Sequence, residues 1–247
     1  MTDKSQKKER LLLPFLAFSL LFSLIILLFC GIMETYLAKR SNVANVTADS
    51  TVTVILDPGH GGEDGGAVGN GNVYEKDLNL AIAKQMEMYL KMNGVSVVCT
   101  RNEDILLYDK NTDYEGRKKV LDLAARLKIS RETENSVFVS IHMNSFPQSG
   151  TRGLQVYYSK NHDDSASLAS LLQERTRSYL SPQNRRKIKA ASSNIYLLDR
   201  ITTPAVLIEC GFLSNDEECA LLANEEYQKK LSLVLADSIT RFLKNDS

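Results

Sequence analysis

The chain has 247 residues, no formal net charge and a pI of about 6.8. That is long enough for one or two domains and lacks the basic excess of a nucleic-acid surface, so no nucleic-acid partner is expected. The four cysteines, Cys30, Cys99, Cys210 and Cys219, show no C-x-x-C spacing, which argues against a disulfide framework or a Cys-rich zinc site.

Leu11 to Met33 is a run of 23 residues without a charge. A helix of that length spans a bilayer core. Lys4, Lys7, Lys8 and Arg10 precede it, against Lys39 and Arg40 after it. The positive-inside rule then places residues 1–10 in the cytoplasm, 11–33 across the cytoplasmic membrane and the remainder outside. The competing reading is a cleaved signal sequence and a secreted protein. A signal peptide usually has a shorter apolar region of about 7–15 residues. The nearest small-x-small site, Val46-Thr47-Ala48, lies far downstream. An uncleaved anchor is the preferred reading. Residues 34–51, polar and small from Ser41 on, read as a tether, and residues 52–247 as the folded domain.

That domain opens with Thr53 to Leu56, a β-branched apolar run that reads as a buried strand. Asp57-Pro58-Gly59 is expected to stop it, because proline cannot donate to a ladder. His60 then falls just past the carboxyl end of a strand, where open α/β sheets bind ligands. The glycines that follow fit neither G-x-G-x-x-G nor the P-loop spacing, and Asp57, Glu63 and Asp64 would repel an anion.

From there apolar runs alternate with amphipathic stretches. Asp77 to Asn93 is expected to be a helix burying Leu78, Ile82, Met86, Tyr89 and Leu90. Val95 to Thr100 reads as a strand. Arg117 to Ser130 reads as a helix with Val120, Leu121, Ala124 and Leu127 inward. Ile105 to Glu115 carries no usable pattern. Ser136 to Ile141 is the strongest strand and runs into His142-Met143-Asn144-Ser145. Gly153 to Tyr158 reads as a strand, Ser165 to Leu180 as a helix, and Asn194 to Leu198 as a short strand. Ala205 to Glu209 is apolar until its last residue. Ser214 to Glu218 caps a short helix with acids in its first turn. Glu225 to Lys244 is the last helix. The alternation predicts a single α/β domain with a central, mostly parallel sheet flanked by helices.

Four residues stand out together. His60 and His142 each follow a buried strand, Glu209 closes a third, and Glu75 lies at the end of the glycine-rich loop before the first helix of the domain. Two imidazoles and one carboxylate form a common catalytic zinc shell with an open fourth position. A second carboxylate nearby can take the proton of the attacking water. Each residue also has a plain structural reading. Glu75 favours a helix amino terminus through the dipole, Glu209 can pair with an arginine, and His142 can hydrogen-bond within its loop. Asn144 is assigned a supporting role toward the site or the substrate. His162 reads as surface turn. Strand alternation turns Cys210 to the face opposite Glu209, which argues against a Cys-His nucleophile. The basic run Arg185, Arg186, Lys187 and Lys189 reads as solvated surface, or as a receptor for carboxylates of an acidic substrate.

DPGHGGEDGGAVG from Asp57, then Glu75, then SIHMN from Ser140, then PAVLIECGFLSN from Pro204 resembles the zinc-dependent N-acetylmuramoyl-L-alanine amidases of the amidase-3 type. The resemblance covers roughly residues 52 to 244, and four separated blocks in order make it specific. It implies Zn2+ held by His60, Glu75 and His142, with Glu209 as the catalytic carboxylate, in a catalytic domain acting on peptidoglycan. Thr100, Arg101, Asp104 and Arg126 also match frequent family positions and are read as structural. Ser145 replaces the alanine usual after SIHxN, and Ser130 stands where asparagine is frequent. The layout of anchor plus catalytic domain is similar to the spore-cortex, germination-specific subgroup, which helps to make muramic lactam. A regulatory protein partner is left open. The competing functions are a zinc peptidase or carboxypeptidase on wall peptides, and a non-catalytic, membrane-anchored wall-binding protein.

Overall fold

The computed structural model describes residues 21–35, 52–108, 111, 116–148 and 150–245. The chain divides into two units, Met1–Asp49 and Ser50–Ser247. In the first, residues 21–35 form a helix, α1, with every residue exposed. Residues 11–20 of the expected span lie outside the described residues. Among the described residues no helix is long and apolar enough to cross a membrane.

In the second unit the strands are β1 (Thr53–Pro58), β2 (Val68–Gly69), β3 (Val73–Tyr74), β4 (Ser96–Cys99), β5 (Ser136–Asn144), β6 (Gln155–Tyr158), β7 (Lys189–Ala190) and β8 (Ala205–Phe212). The helices are α2 (Glu75–Met92), α3 (Lys118–Glu132), α4 (Asp164–Leu180), α5 (Tyr196–Arg200), α6 (Asp216–Ala223) and α7 (Glu225–Leu243). Six strands form one sheet in the order β4-β1-β5-β8-β6-β7. β4, β1, β5 and β8 run parallel, and β6 is antiparallel to β8. The parallel crossovers leave the carboxyl ends of β1, β5 and β8 together at one edge.

Side chains alternate across these strands, as the pleat requires. Val54 and Leu56 of β1, Val137, Val139 and Ile141 of β5, and Val206 and Ile208 of β8 enter one core with Ile82, Met86 and Leu90 of α2 and Leu231, Leu235 and Ile239 of α7. Burying each such side chain contributes about 1.5–3 kcal/mol. Ile55, Phe138 and Ala205 point the other way into a smaller core with Leu127 of α3 and Leu197 and Leu198 of α5.

Several expectations change. β1 runs on through Pro58, because β4 has ended there and only β5 still pairs with it, so the missing N–H breaks no ladder. Glu209 does not close its strand: β8 continues to Phe212, with a register shift opposite His142 and Asn144. Residues 196–200 form a helical turn, not a strand. Leu197 and Leu198 are buried side by side there, an apolar run too short for periodicity to tell a helical turn from a strand. α3 turns Asp122, Arg126, Leu127 and Ser130 inward and leaves Val120 exposed. Its buried face is polar because it serves a buried carboxylate in β1, described next. An apolar-stripe rule cannot find such a face.

Candidate active site

His60 sits in the left-handed region, at φ 61°, a conformation that costs a non-glycine residue free energy unless its surroundings impose it. Two arginines impose it. Arg126 donates to the carbonyls of Pro58 (2.8 Å) and His60 (2.8 Å). Arg101 donates to those of Pro58 (2.9 Å) and Gly59 (3.0 Å). Three consecutive carbonyls are thereby gripped by guanidinium groups. Arg126 is in turn paired with Asp57 Oδ1 at 2.6 Å and Asp122 Oδ2 at 2.7 Å. Asp57 also accepts from Thr100 Oγ1 (2.7 Å) and Ser140 Oγ (2.7 Å). Burial alone would push the Asp57 carboxyl up, but Arg126 and the two hydroxyls hold it below the usual carboxylate range.

Glu75 is the first residue of α2. Its Oε2 accepts from Ala67 N at 2.8 Å and its Oε1 from Met143 N at 3.0 Å. The same Oε1 lies 2.8 Å from His142 Nδ1 and 3.3 Å from His60 Nε2. The two imidazole rings meet edge to face, centroids 5.0 Å apart. The donor atoms of His60, Glu75 and His142 all lie within 4.8 Å of one another. Burial would raise the Glu75 carboxyl, but the His142 and His60 imidazoles beside it hold it far below its ordinary range.

Two glycines make this convergence possible. A Cβ on Gly59 would fall 2.2 Å from the His142 ring, and one on Gly66 would fall 2.5 Å from Glu75 Oε2. Asp64 Oδ2 approaches His60 Nδ1 to 2.9 Å. Asp64 thus stands behind the His60 ring, against the nitrogen that faces away from Glu75. Burial would lower the His60 pKa, but Glu75 and Asp64 raise it. Two nitrogens and a carboxylate oxygen, with a second carboxylate behind one imidazole, suit a divalent transition metal.

Glu209 faces the same end of the sheet, directly opposite His142 in the β5–β8 ladder. Its Oε2 is buried and has no hydrogen-bond partner. Burial, with His142 and His60 pulling down and Glu75 pushing up, leaves its carboxyl raised to about 7. His60, His142 and Glu209 line one cleft of about 250 Å³ together with Leu123, Tyr196 and Leu207.

The structure thus brings His60, Glu75, His142 and Glu209 together. Asn144 ends β5, and its carbonyl accepts from Leu213 N at 2.8 Å. Its side chain makes no hydrogen bond among the described residues. His162 lies on the surface, where its Nδ1 accepts from Asp164 N at 3.2 Å. Cys210 is buried on the opposite face. Sequence reasoning missed Asp64 and Asn79. Asn79 donates to Gly59 O at 3.1 Å and lies 3.5 Å from Glu75 Oε1, one helical turn on. The i, i+4 spacing from Glu75 was the available signal.

A mostly parallel α/β sheet with a His-Glu-His cluster beside its strand ends is an arrangement that can hold a catalytic metal, and the comparisons with known proteins supply the family. The chain belongs to the Amidase_3 family, N-acetylmuramoyl-L-alanine amidase, which it matches over residues 54–241. It is an enzyme of that activity, a hydrolase acting on peptidoglycan. It is 36% identical over 189 residues to the germination-specific N-acetylmuramoyl-L-alanine amidase of Bacillus subtilis, covering 76% of this chain and 78% of the relative. Among solved structures it is similar to the CwlD amidase of Clostridioides difficile in complex with the GerS lipoprotein, with 39% identity and a TM-score of 0.74. That match covers 79% of this chain and 100% of that one. The catalytic domain of CwlV from Bacillus (Paenibacillus) polymyxa var. colistinus is 34% identical at a TM-score of 0.65, covering 78% of this chain and 98% of that one.

Proposed function

We propose that His60, Glu75 and His142 hold a zinc ion and that Glu209 is the acid–base group for cleavage of the amide between N-acetylmuramic acid and L-alanine. The observation that carries this reading is the convergence of both imidazoles on one Glu75 oxygen, beside a Glu209 oxygen that is buried without a partner. Bound zinc supplies a Lewis acid and lowers the pKa of water to about 7. Glu209 takes the proton of the attacking water and hands it to the leaving amine of L-alanine. Asp64 and Glu75 hold the His60 ring in orientation, and the grip of Arg101 and Arg126 on the 58–60 backbone keeps it in place.

Digestion of purified peptidoglycan followed by mass analysis tests the reaction. New L-alanine amino termini are expected. Released D-alanine would instead mark a carboxypeptidase, and undigested but bound wall would mark a binding protein. Replacing His60 or His142 with Ala should strip the metal. Glu75→Ala should do the same, and tight zinc binding by that variant would make Glu75 a helix-dipole residue only.

The finer setting is also a proposal. Similarity to a germination-specific amidase supports a role in spore-cortex maturation, with muramic lactam as the product downstream. The CwlD relative was solved with a lipoprotein, so a lipoprotein is the first candidate for a regulatory partner. Residues 11–33 are proposed to anchor the protein in the cytoplasmic membrane, with 1–10 inside, 34–51 as tether and 52–247 as the catalytic domain outside. The charge-free run of the sequence supports the anchor. The described part, α1, would by itself reach only about 22 Å, so the reading depends on residues 11–20 continuing the span. Recovery of the native protein from the medium, cleaved after residue 30 or later, would sink it.

A further inference from the structure

The mechanism above leaves one preorganised cation unused. Arg186, in the basic run after α4, is fixed by neutral groups: its Nε donates to Arg152 O at 2.8 Å and its Nη1 to Gln155 Oε1 at 3.0 Å. Its guanidinium carbon lies 4.5 Å from the centre of the Phe212 ring. No carboxylate pairs with it among the described residues, and its Nη2 has no protein partner there. The nearby acids are already engaged. Glu217 pairs with Arg152, and Glu218 accepts from Gly153 N and Phe212 N, both at 2.8 Å.

Its place in the fold gives this cation a direction. Gln155, which holds the guanidinium, is the register partner of Glu209 across the β6–β8 ladder. Tyr157, two residues further along β6, feels both charges: beyond burial, Glu209 raises its pKa and Arg186 lowers it. Strand order runs from His60 after β1, through His142 on β5 and Glu209 on β8, to Arg186 over β6. Glu209 delivers its proton to the leaving amine, so the departing peptide lies on the Glu209 side. Gln155 lies one strand spacing beyond Glu209, about 4.8 Å, so the guanidinium it holds is within reach of the residue that follows L-alanine.

We propose that Arg186 is a specificity-determining residue that receives a free carboxylate on the stem-peptide residue following L-alanine. A planar guanidinium with open donors and no counter-charge matches a carboxylate and discriminates against its carboxamide. The proposal rests on the amidase reading with Glu209 as proton donor to the amine.

The test uses the full-length protein in detergent and two synthetic muramyl peptides that differ only at that residue, one bearing a carboxylate and the other a carboxamide. The wild type should prefer the carboxylate. Arg186→Gln should lower kcat/KM for the carboxylate substrate by about 10–100-fold, the worth of a charged hydrogen bond, mainly through KM. It should leave the carboxamide substrate nearly unchanged. Arg186→Lys should restore part of the preference. Equal losses on both substrates would make Arg186 a clamp between the 152 and 186 segments and overturn the proposal, as would a wild type that does not discriminate. Should Arg186→Gln not fold, Arg186→Lys, which keeps the stem beside Phe212, carries the same comparison. If the wild type cleaves neither substrate, the amidase reading falls on its own account. The same two compounds are then titrated as ligands. A carboxylate preference lost in Arg186→Gln supports the inference, and equal binding overturns it.

Discussion

On the face of the sheet under α2, α4 and α7, inward positions of β1, β5 and β8 are apolar: Val54, Leu56, Val137, Val139, Ile141, Val206 and Ile208. On the opposite face the same three strands begin apolar, with Ile55, Phe138 and Ala205. Toward their carboxyl ends they turn polar, with Asp57, Ser140, His142 and Glu209 in register. Among the described residues, the helices that cover this side are α3 and the short α5. One set of strands thereby serves two purposes. A pleat sends neighbours to opposite sides, so each strand contributes hydrophobic free energy through one row of side chains and chemistry through the other. The polar row can be buried because Arg126 and Arg101 satisfy its carboxylate and its carbonyls.

The largest effect is expected from Glu209→Gln. The change keeps size and hydrogen-bonding capacity but cannot carry the proton. Turnover should fall by at least about 10²–10⁴, with metal content and thermal stability near the parent values. Metal analysis alongside kinetics decides the role. Loss of zinc in this variant would make Glu209 a ligand and require Glu75 and Glu209 to exchange assignments.

Arg126→Met attacks the support of the open face. It strands Asp57 and Asp122 in the interior, and removal of one partner of a buried pair costs about 3–5 kcal/mol. Urea denaturation would measure it. A change of matching depth on the sealed face, Ile141→Ala, should cost about 2–5 kcal/mol through its cavity, while the surviving folded enzyme keeps its turnover. If Ile141→Ala instead loses activity while the fold holds, the two faces are not independent.

The pH dependence of stability sharpens the same point. Asp57 is held below its ordinary value of 3.8. A depressed folded-state pKa means the stabilisation is present above the unfolded value and is lost as pH falls through the folded one. The wild type should therefore lose thermal stability in strong acid. The gap in Tm between wild type and Arg126→Met should narrow over the same range, because a protonated Asp57 no longer gains from the guanidinium. A gap that stays constant with pH would assign the cost to packing rather than charge.

Asp64→Asn is a smaller change, since Asp64 acts on His60 from behind. A residue in that position typically matters 10–100-fold in metal affinity, which a competitive chelator titration resolves. The smallest effect is expected from Cys210→Ala. The thiol lies on the sealed face, where burial pushes its pKa up, so turnover should be unchanged.

Much of this was open to sequence reasoning because it depends on near neighbours. The apolar run Ser136 to Ile141 marked β5, although that strand carries on through His142 to Asn144. The 3.6-residue period of α2 marked Leu78, Ile82, Met86 and Leu90, which the core buries. The separated blocks around His60, Glu75, His142 and Glu209 carried the family. What stayed hidden depends on residues far apart in the chain. The inward face of α3 was misjudged because Asp122 and Arg126 answer to Asp57, more than sixty positions away. Asp64 and Asn79 gained roles only once the loop after β1 was folded back against α2. The left-handed His60 is imposed by guanidinium groups from two other segments. Local periodicity follows from the backbone's own geometry, so the chain reveals it residue by residue. Which buried charge meets which partner, and whether an arginine such as Arg186 is left with open donors, is set by the order in which strands lie side by side. Only the assembled sheet determines that order.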